Sequence, residues 1–231
     1  GQNHCLRGRK FFEVFNTIEL DIYTSLDRGV RETNEKLANF AKTFPGLDVK
    51  IILNPCPRPL KDYHYSSLAP DYADYLKYGI MESFGYGCVG VHVWHYNYAD
   101  LDSLRQFSEA MHILSRIEDV VFYGKKIKVS TNLPNISVTD TFYGKKATWH
   151  DQEPVFVKGL QHQDKYLICV SEYLTGKDMT VTVNFAPGKK MSIKDVEANK
   201  IIGFIEKDAK TFQIRLEPEN RCKLLLFEPA K

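Results

Sequence analysis

The sequence predicts an α/β segment followed by an all-β segment, and three observations predict it. From about residue 11 to 118, apolar runs of strand length alternate with longer stretches of helical periodicity. After Asp119 that periodicity gives way to short alternating runs cut by Gly, Asp, Asn and Pro. The chain has 231 residues, 43% hydrophobic and 26% charged, which is enough for one large or two modest cores. Strands alternating with helices imply a parallel sheet covered by helices, whereas closely spaced strands and turns imply an antiparallel sandwich.

The elements follow in order. The first strand is read either at Phe11 to Phe15 or at Thr17 to Tyr23, where TIELDIY alternates. Ser25 is placed as the N-cap of a helix carrying Val30, Leu37, Phe40 and Ala41 on one side, ended by Pro45 and Gly46. VKIIL at 49–53 is a compact second strand, followed by the proline-rich loop NPCPRPLKDYHYSS. A second helix is expected from about Pro70 to Tyr86, stopped by Gly85 and Gly87. Cys88 to Trp94 is the third strand, and a third helix sets Leu104, Phe107, Met111 and Leu114 at helical spacing.

Beyond Asp119 the runs VVFYGKKIKV, EPVFVKGLQ, KYLICVSEY, MTVTVNF, KIIGFIE, TFQIRL and CKLLLFEP all read as strands. The expected division is 1–122 and 123–231, with the second part able to close its own core.

Composition excludes several functions. Net charge is +2 and the Lys and Arg are dispersed, so nothing asks for nucleic acid. No apolar run reaches membrane-span length. Cys5, Cys56, Cys88, Cys169 and Cys222 lack metal-binding spacing, so no metal site is expected. No sequence feature asks for a cofactor. Cys88, Cys169 and Cys222 read as buried free thiols. Asn135, Ile136 and Ser137 form an N-glycosylation acceptor sequence, which points to a secreted or lysosomal setting. The opening at Gly1, without Met or leader pattern, reads as part of something longer.

The stretch GCVGVHVWHYNYADLDSL at 87–104 carries the strongest functional signal. Val89, Val91 and Val93 fall on one strand face, and Gly90, His92, Trp94 and Tyr96 on the other. If the valines face helices, the second set points toward a barrel axis, with Trp94 and Tyr96 at the carboxyl end where barrel sites are built. The same parity sends Ile52 and Asn54 inward on the second strand, and Thr17, Glu19, Asp21 and Tyr23 on the first. His64 falls in the loop after strand two. Flat rings bury the C–H face of a sugar while polar neighbours hold its hydroxyls, so Trp94, Tyr96, Asn54, His64 and Tyr23 are candidate carbohydrate contacts.

A strand ending GVHVW, a helix, and then strands finishing in FQIRLEPENRCKLLLFEP resemble the carboxyl-terminal half of a (β/α)8 glycoside hydrolase with an appended β-domain. The resemblance implies that residues 1–122 are the last three βα units of a TIM-type barrel and that 123–231 are a β-sandwich accessory domain. It further implies that the first half of the barrel lies in another segment or chain, and that the substrate or ligand is carbohydrate. Glycoside hydrolysis generally uses two carboxyl groups flanking the scissile bond, which makes Glu19 and Asp21 the catalytic candidates. FEVFN at 12–16 is similar to a barrel-strand motif in which Asn precedes the acid Glu, but here Thr17 follows Asn16. VKIILN likewise has no carboxylate. These two departures leave a second expectation open: a catalytically inactive, glycan-binding or structural extracellular protein on the same fold.

Overall fold

The computed structural model describes residues 17–22, 50–55, 75–85, 88–91, 101–142, 145–172 and 177–230 of the 231. The helix expected after Ser25 and the cluster from Trp94 to Tyr98 lie outside those residues. So do Tyr23, His64, Cys5 and Cys56.

The first strand occupies the second of its two expected placements. β1 (Thr17–Ile22), β2 (Lys50–Pro55) and β3 (Gly90–Val91) form a parallel sheet in that order. The described remainder is mostly antiparallel. β4 (Lys125–Ile127), β8 (Val155–His162), β9 (Lys165–Glu172), β11 (Met191–Asp195), β12 (Lys200–Ile205) and β14 (Cys222–Pro229) make a six-stranded sheet in the order β12-β11-β14-β9-β8-β4. β5 (Ser130–Thr131), β10 (Met179–Asn184) and β13 (Thr211–Leu216) form a second sheet, ordered β13-β10-β5. β6 (Ile136–Phe142) and β7 (Lys145–Gln152) pair as a separate ribbon that the sequence reading passed over.

Two helices of more than two turns are described, α1 (Tyr75–Gly85) and α2 (Leu101–Leu114). A 3-10 turn, Ser115–Ile117, leads into the short α3 (Glu118–Tyr123). The expected strand VVFYGKKIKV is therefore corrected: its first four residues are helical, and β4 begins after Gly124. Glu118 and Asp119 supply negative charge at the α3 amino end, where the Asp119 carboxylate accepts the Val120 N–H at 2.9 Å. Val120 and Val121 are then buried on the helix, so packing overrides their β preference.

Two cores share the six-stranded sheet. On β14, Cys222, Leu224 and Leu226 pack with the helices, while Leu225 and Phe227 face the second sheet. β9 divides in the same way, Leu167 and Cys169 on one side and Ile168 and Val170 on the other. A strand buried on both faces reads as a continuous apolar run, which is why KYLICV and CKLLLF hardly alternate. Phe185 anchors the sheet-to-sheet core, its ring centroid 5.0 Å from Phe227 and 5.2 Å from Tyr166. The all-β part therefore does not close its core alone, because one face of its larger sheet is completed by α1, α2 and α3.

α1 lies in the middle of this arrangement, touching β2, β9, β14 and α2. Residues 76–81 are all buried, including Lys77. Its carboxyl end comes so close to β9 that a Cβ on Gly85 would stand 2.4 Å from the Cys169 Cβ. The glycine first read as a helix stop is also what permits that approach. On α2 the buried face is Ser103, Gln106, Ala110, Ile113 and Leu114, whereas Leu104 and Met111 of the expected stripe are 39% and 38% exposed. The displacement has a polar cause. The buried Gln106 carbonyl accepts the N–H groups of Leu76 at 2.9 Å and Lys77 at 3.3 Å, capping α1 from across the helix pair.

Charged groups fasten the helices to the sheet. Lys77 Nζ stands 3.0 Å from Glu197 and 3.8 Å from Glu109. Arg116 donates to the backbone carbonyls of Val196 at 2.7 Å and Glu197 at 2.9 Å. Both cations thus hold the turn between β11 and β12.

Candidate functional site

Backbone register brings three of the candidate positions together. Glu19 is the Cα partner of Ile52, and Asp21 of Asn54, while Ile52 partners Gly90 on β3. Alternation therefore assigns positions 19, 21, 52, 54 and 90 to one face of the parallel sheet, and positions 18, 20, 51, 53 and 91 to the other. Val91 packs against the core that holds the helices. Because the strands are parallel, Asp21 and Asn54 stand together near the carboxyl ends, the side on which open and closed α/β sheets build their ligand sites. Neighbouring strands lie about 4.8 Å apart, so these positions are adjacent across the sheet.

The other candidates are separated from that group or lie beyond the described residues. Trp94, Tyr96, His64 and Tyr23 are outside them. Asn135 is exposed at the start of the β6–β7 ribbon, and its amide nitrogen donates to the Asp151 carboxylate at 3.0 Å and the Asp151 carbonyl at 3.3 Å.

A cleft of about 240 Å³ opens between Phe84, Gly90, Met111, Leu114, Val121 and Phe122. It reaches the amino end of β3 rather than the carboxyl end, and Glu118 is its single carboxylate. Such a lining has apolar surface to offer but no carboxyl pair. Cys88, Cys169 and Cys222 are buried thiols outside any disulfide. Burial pushes the Cys88 thiol up to about 12, against the opposing pull of Lys126, so it is no nucleophile at neutral pH. Burial also lowers Lys126, a charge neighbour of Cys88 that the sequence did not single out. Among the described residues no group of three or more His, Cys, Asp or Glu is placed to hold a metal. No helix described is long and apolar enough to cross a membrane.

Comparison with known proteins gives a likeness of fold. No family model matches the chain. No curated protein matches it either. Among solved structures, it is similar to a noncanonic maltogenic α-amylase from Thermotoga neapolitana, with TM-score 0.60, 13% identity, and coverage of 96% of this chain and 53% of that one. It is similar to the α-amylase of Geobacillus thermoleovorans complexed with acarbose, with TM-score 0.55, 7% identity, and coverage of 97% and 58%. A third, AmyP in complex with maltose, has TM-score 0.51, 12% identity, and coverage of 83% and 43%. The chain spans about half the length of these structures. Its fold is thus of a glycosidase-like kind.

Proposed function

We propose that this chain is the carboxyl-terminal portion of a carbohydrate-active hydrolase, with residues 1–122 as the last three βα units of a barrel and 123–231 as a β-sandwich domain. The observation that carries the reading is the backbone register of β1 and β2, in which position 21 partners position 54 and position 19 shares their face near the carboxyl ends of a parallel sheet. The fold likeness to amylases supports it. In this reading Glu19 or Asp21 supplies one of the two carboxyl groups of glycoside hydrolysis. Its counterpart comes from the first half of the barrel, in another segment or chain, because positions i and i+2 of one strand lie on the same side of a pocket. Asn54, Trp94, Tyr96, His64 and Tyr23 hold the sugar, the rings by stacking and the polar groups through hydroxyls. Asn135 is read as a glycan acceptor in a secreted or lysosomal protein, consistent with its exposure.

One observation favours the second reading, a barrel that binds glycan without cleaving it. The residue registered with Asp21 is Asn54, an amide where a second carboxylate would serve catalysis. Turnover and binding separate the two. In the complete protein, Glu19→Gln and Asp21→Asn are assayed on maltooligosaccharides, the class suggested by the maltose and acarbose of the similar structures. Loss of turnover by about 10³-fold or more in one variant, with binding retained, is the expected result. Full activity in both removes these residues from catalysis. Binding by a parent that never cleaves selects the second reading. For the rings, Trp94→Phe is expected to weaken glycan binding with little change in melting temperature, and unchanged affinity would return Trp94 to the core.

A further inference from the structure

The apolar stripe of α2 that the fold leaves uncovered carries an inference, which rests on the preceding reading and names the place where the other half of the barrel docks. We infer that the outer flank of α2, with the cleft beside β3, receives the first strand and helix of the barrel's amino-terminal half, supplied by another segment or chain.

Leu104, Phe107, Met111 and Leu114 stand at helical spacing, a pattern that ordinarily marks a core face. The fold buries a different one. Ser103, Gln106, Ala110, Ile113 and Leu114 turn inward, while Leu104 and Met111 stay 39% and 38% exposed. At 3.6 residues per turn both lie about 150° around the helix from Gln106, the residue that ties α2 to α1. Helix α2 thus has α1 along one flank and an apolar stripe along the other. The stripe leads into the cleft, where Met111 and Leu114 meet Phe84, Gly90, Val121 and Phe122. Phe122 is itself 42% exposed. Single apolar residues on a surface are ordinary, but a stripe continued by an apolar cleft of about 240 Å³ is an interaction surface.

Three observations point to one occupant. Among the described residues β3 pairs with β2 alone, so its other edge is open to a further parallel strand. Helix α2 follows β3 in sequence and meets it at Gly90 in the cleft, and the helices that cover such a sheet pack against neighbours on both sides. Only one of those sides is filled. The chain also spans about half the length of the α-amylases to which it is similar, which leaves length for the remainder of an eight-stranded barrel. In a closed barrel the neighbour of the last strand is the first. The occupant is therefore an apolar strand laid parallel to β3, with a helix whose apolar face meets Leu104 and Met111.

Solvent access at position 111 tests this. Met111→Cys, and Ile201→Cys as a comparison at a 58% exposed position of β12, are alkylated in the 231-residue chain and in the complete protein, and each position is followed by peptide mass spectrometry. Position 111 is expected to react readily in the chain alone and about tenfold more slowly in the complete protein, while position 201 reacts alike in both. Met111→Asp should leave the chain alone nearly as stable as its parent, yet lower the melting temperature of the complete protein by several degrees. Equal labelling of position 111 in the two proteins overturns the inference, and so does an equal effect of Met111→Asp. Protection of position 111 in the chain alone that rises with its concentration assigns the flank to a second copy and overturns it too. The hydrolase reading is scored separately by the Glu19→Gln and Asp21→Asn assays. A complete protein that protects position 111 but never cleaves glycan keeps the docking flank and loses the enzyme, whereas an active one with position 111 open loses the docking flank alone.

Discussion

Gly85 and Asp119 show how single side chains are constrained by groups distant in sequence. A Cβ at Gly85 would lie 2.4 Å from the Cys169 Cβ and 2.7 Å from its Sγ, on a central strand that cannot withdraw freely. Gly85→Ala is therefore expected to destabilise by about 1–3 kcal/mol, the range for overpacking a filled core, despite alanine's better helix propensity. Urea midpoints measure this, with Gly203→Ala as the unhindered comparison. Asp119 carries a pH dependence. Burial tends to raise its carboxyl, but the Lys165 hydrogen bond at 3.1 Å, the Val120 N–H and the Lys165 charge outweigh burial and hold it below the ordinary value. Lys165 is raised, chiefly by the same hydrogen bond. The stabilisation from Asp119 is fully present above its unfolded value of about 3.9 and is lost as pH falls through the lower folded value. That from Lys165 is present below about 10.4 and lost as pH rises through its higher folded value. The side chains are 45% and 34% exposed, so solvent screening keeps the total below about 1 kcal/mol. Lys165→Met should lower the denaturation midpoint slightly and evenly near neutrality, and the difference should vanish in acid below the folded Asp119 value.

At the scale of elements, the Gln106 carbonyl makes α1 dependent on α2. Gln106→Leu leaves two N–H groups at the α1 amino end without their acceptor and should cost about 1–3 kcal/mol. Hydrogen exchange should quicken at Leu76 and Lys77 more than in β9 if the loss is that of a cap. Such dependence was not legible beforehand, because a hydrogen bond spanning 30 residues leaves no periodic trace in sequence. What periodicity did reveal was strand parity. The alternation of TIELDIY placed positions 19 and 21 on a common face, and the register with β2 added position 54. The helical VVFY defeated the same reasoning, since four apolar residues fit either period and only the burial of Val120 and Val121 in the helix-side core decides. The β6–β7 ribbon was missed although ISVTDTF alternates, because Ser, Thr and Asp fill four of its seven positions and its apolar signal is correspondingly faint. In the proposed function the counterpart of Glu19 or Asp21 comes from remote chain, about which local pattern is silent.

For the whole molecule, the shared sheet sets what can be separated. Residues 125–231 expressed alone would present Leu160, Leu167, Cys169, Cys222, Leu224 and Leu226 to water in place of the helices. Exposing these costs roughly 1.5–3 kcal/mol for each large apolar side chain, comparable in sum with the stability of a domain. That fragment is expected to self-associate or bind a hydrophobic dye, whereas 75–231, which restores α1, α2 and α3, should melt more cooperatively. A monomeric, dye-silent 125–231 with full stability would contradict the shared core.

The position of β14 has a consequence in time. Among the six strands of its sheet it is made last, yet it lies between β11 and β9 in the middle. Until it emerges, β11–β12 and β8–β9 have hairpin partners but no common centre, and the helices lack half of the surface against which they rest. Assembly of this sheet must therefore wait until all of its other strands have been made, with apolar strands held apart meanwhile, and the long-range closure makes folding slow. Removing only the final strand would not trim an edge but divide the sheet in two.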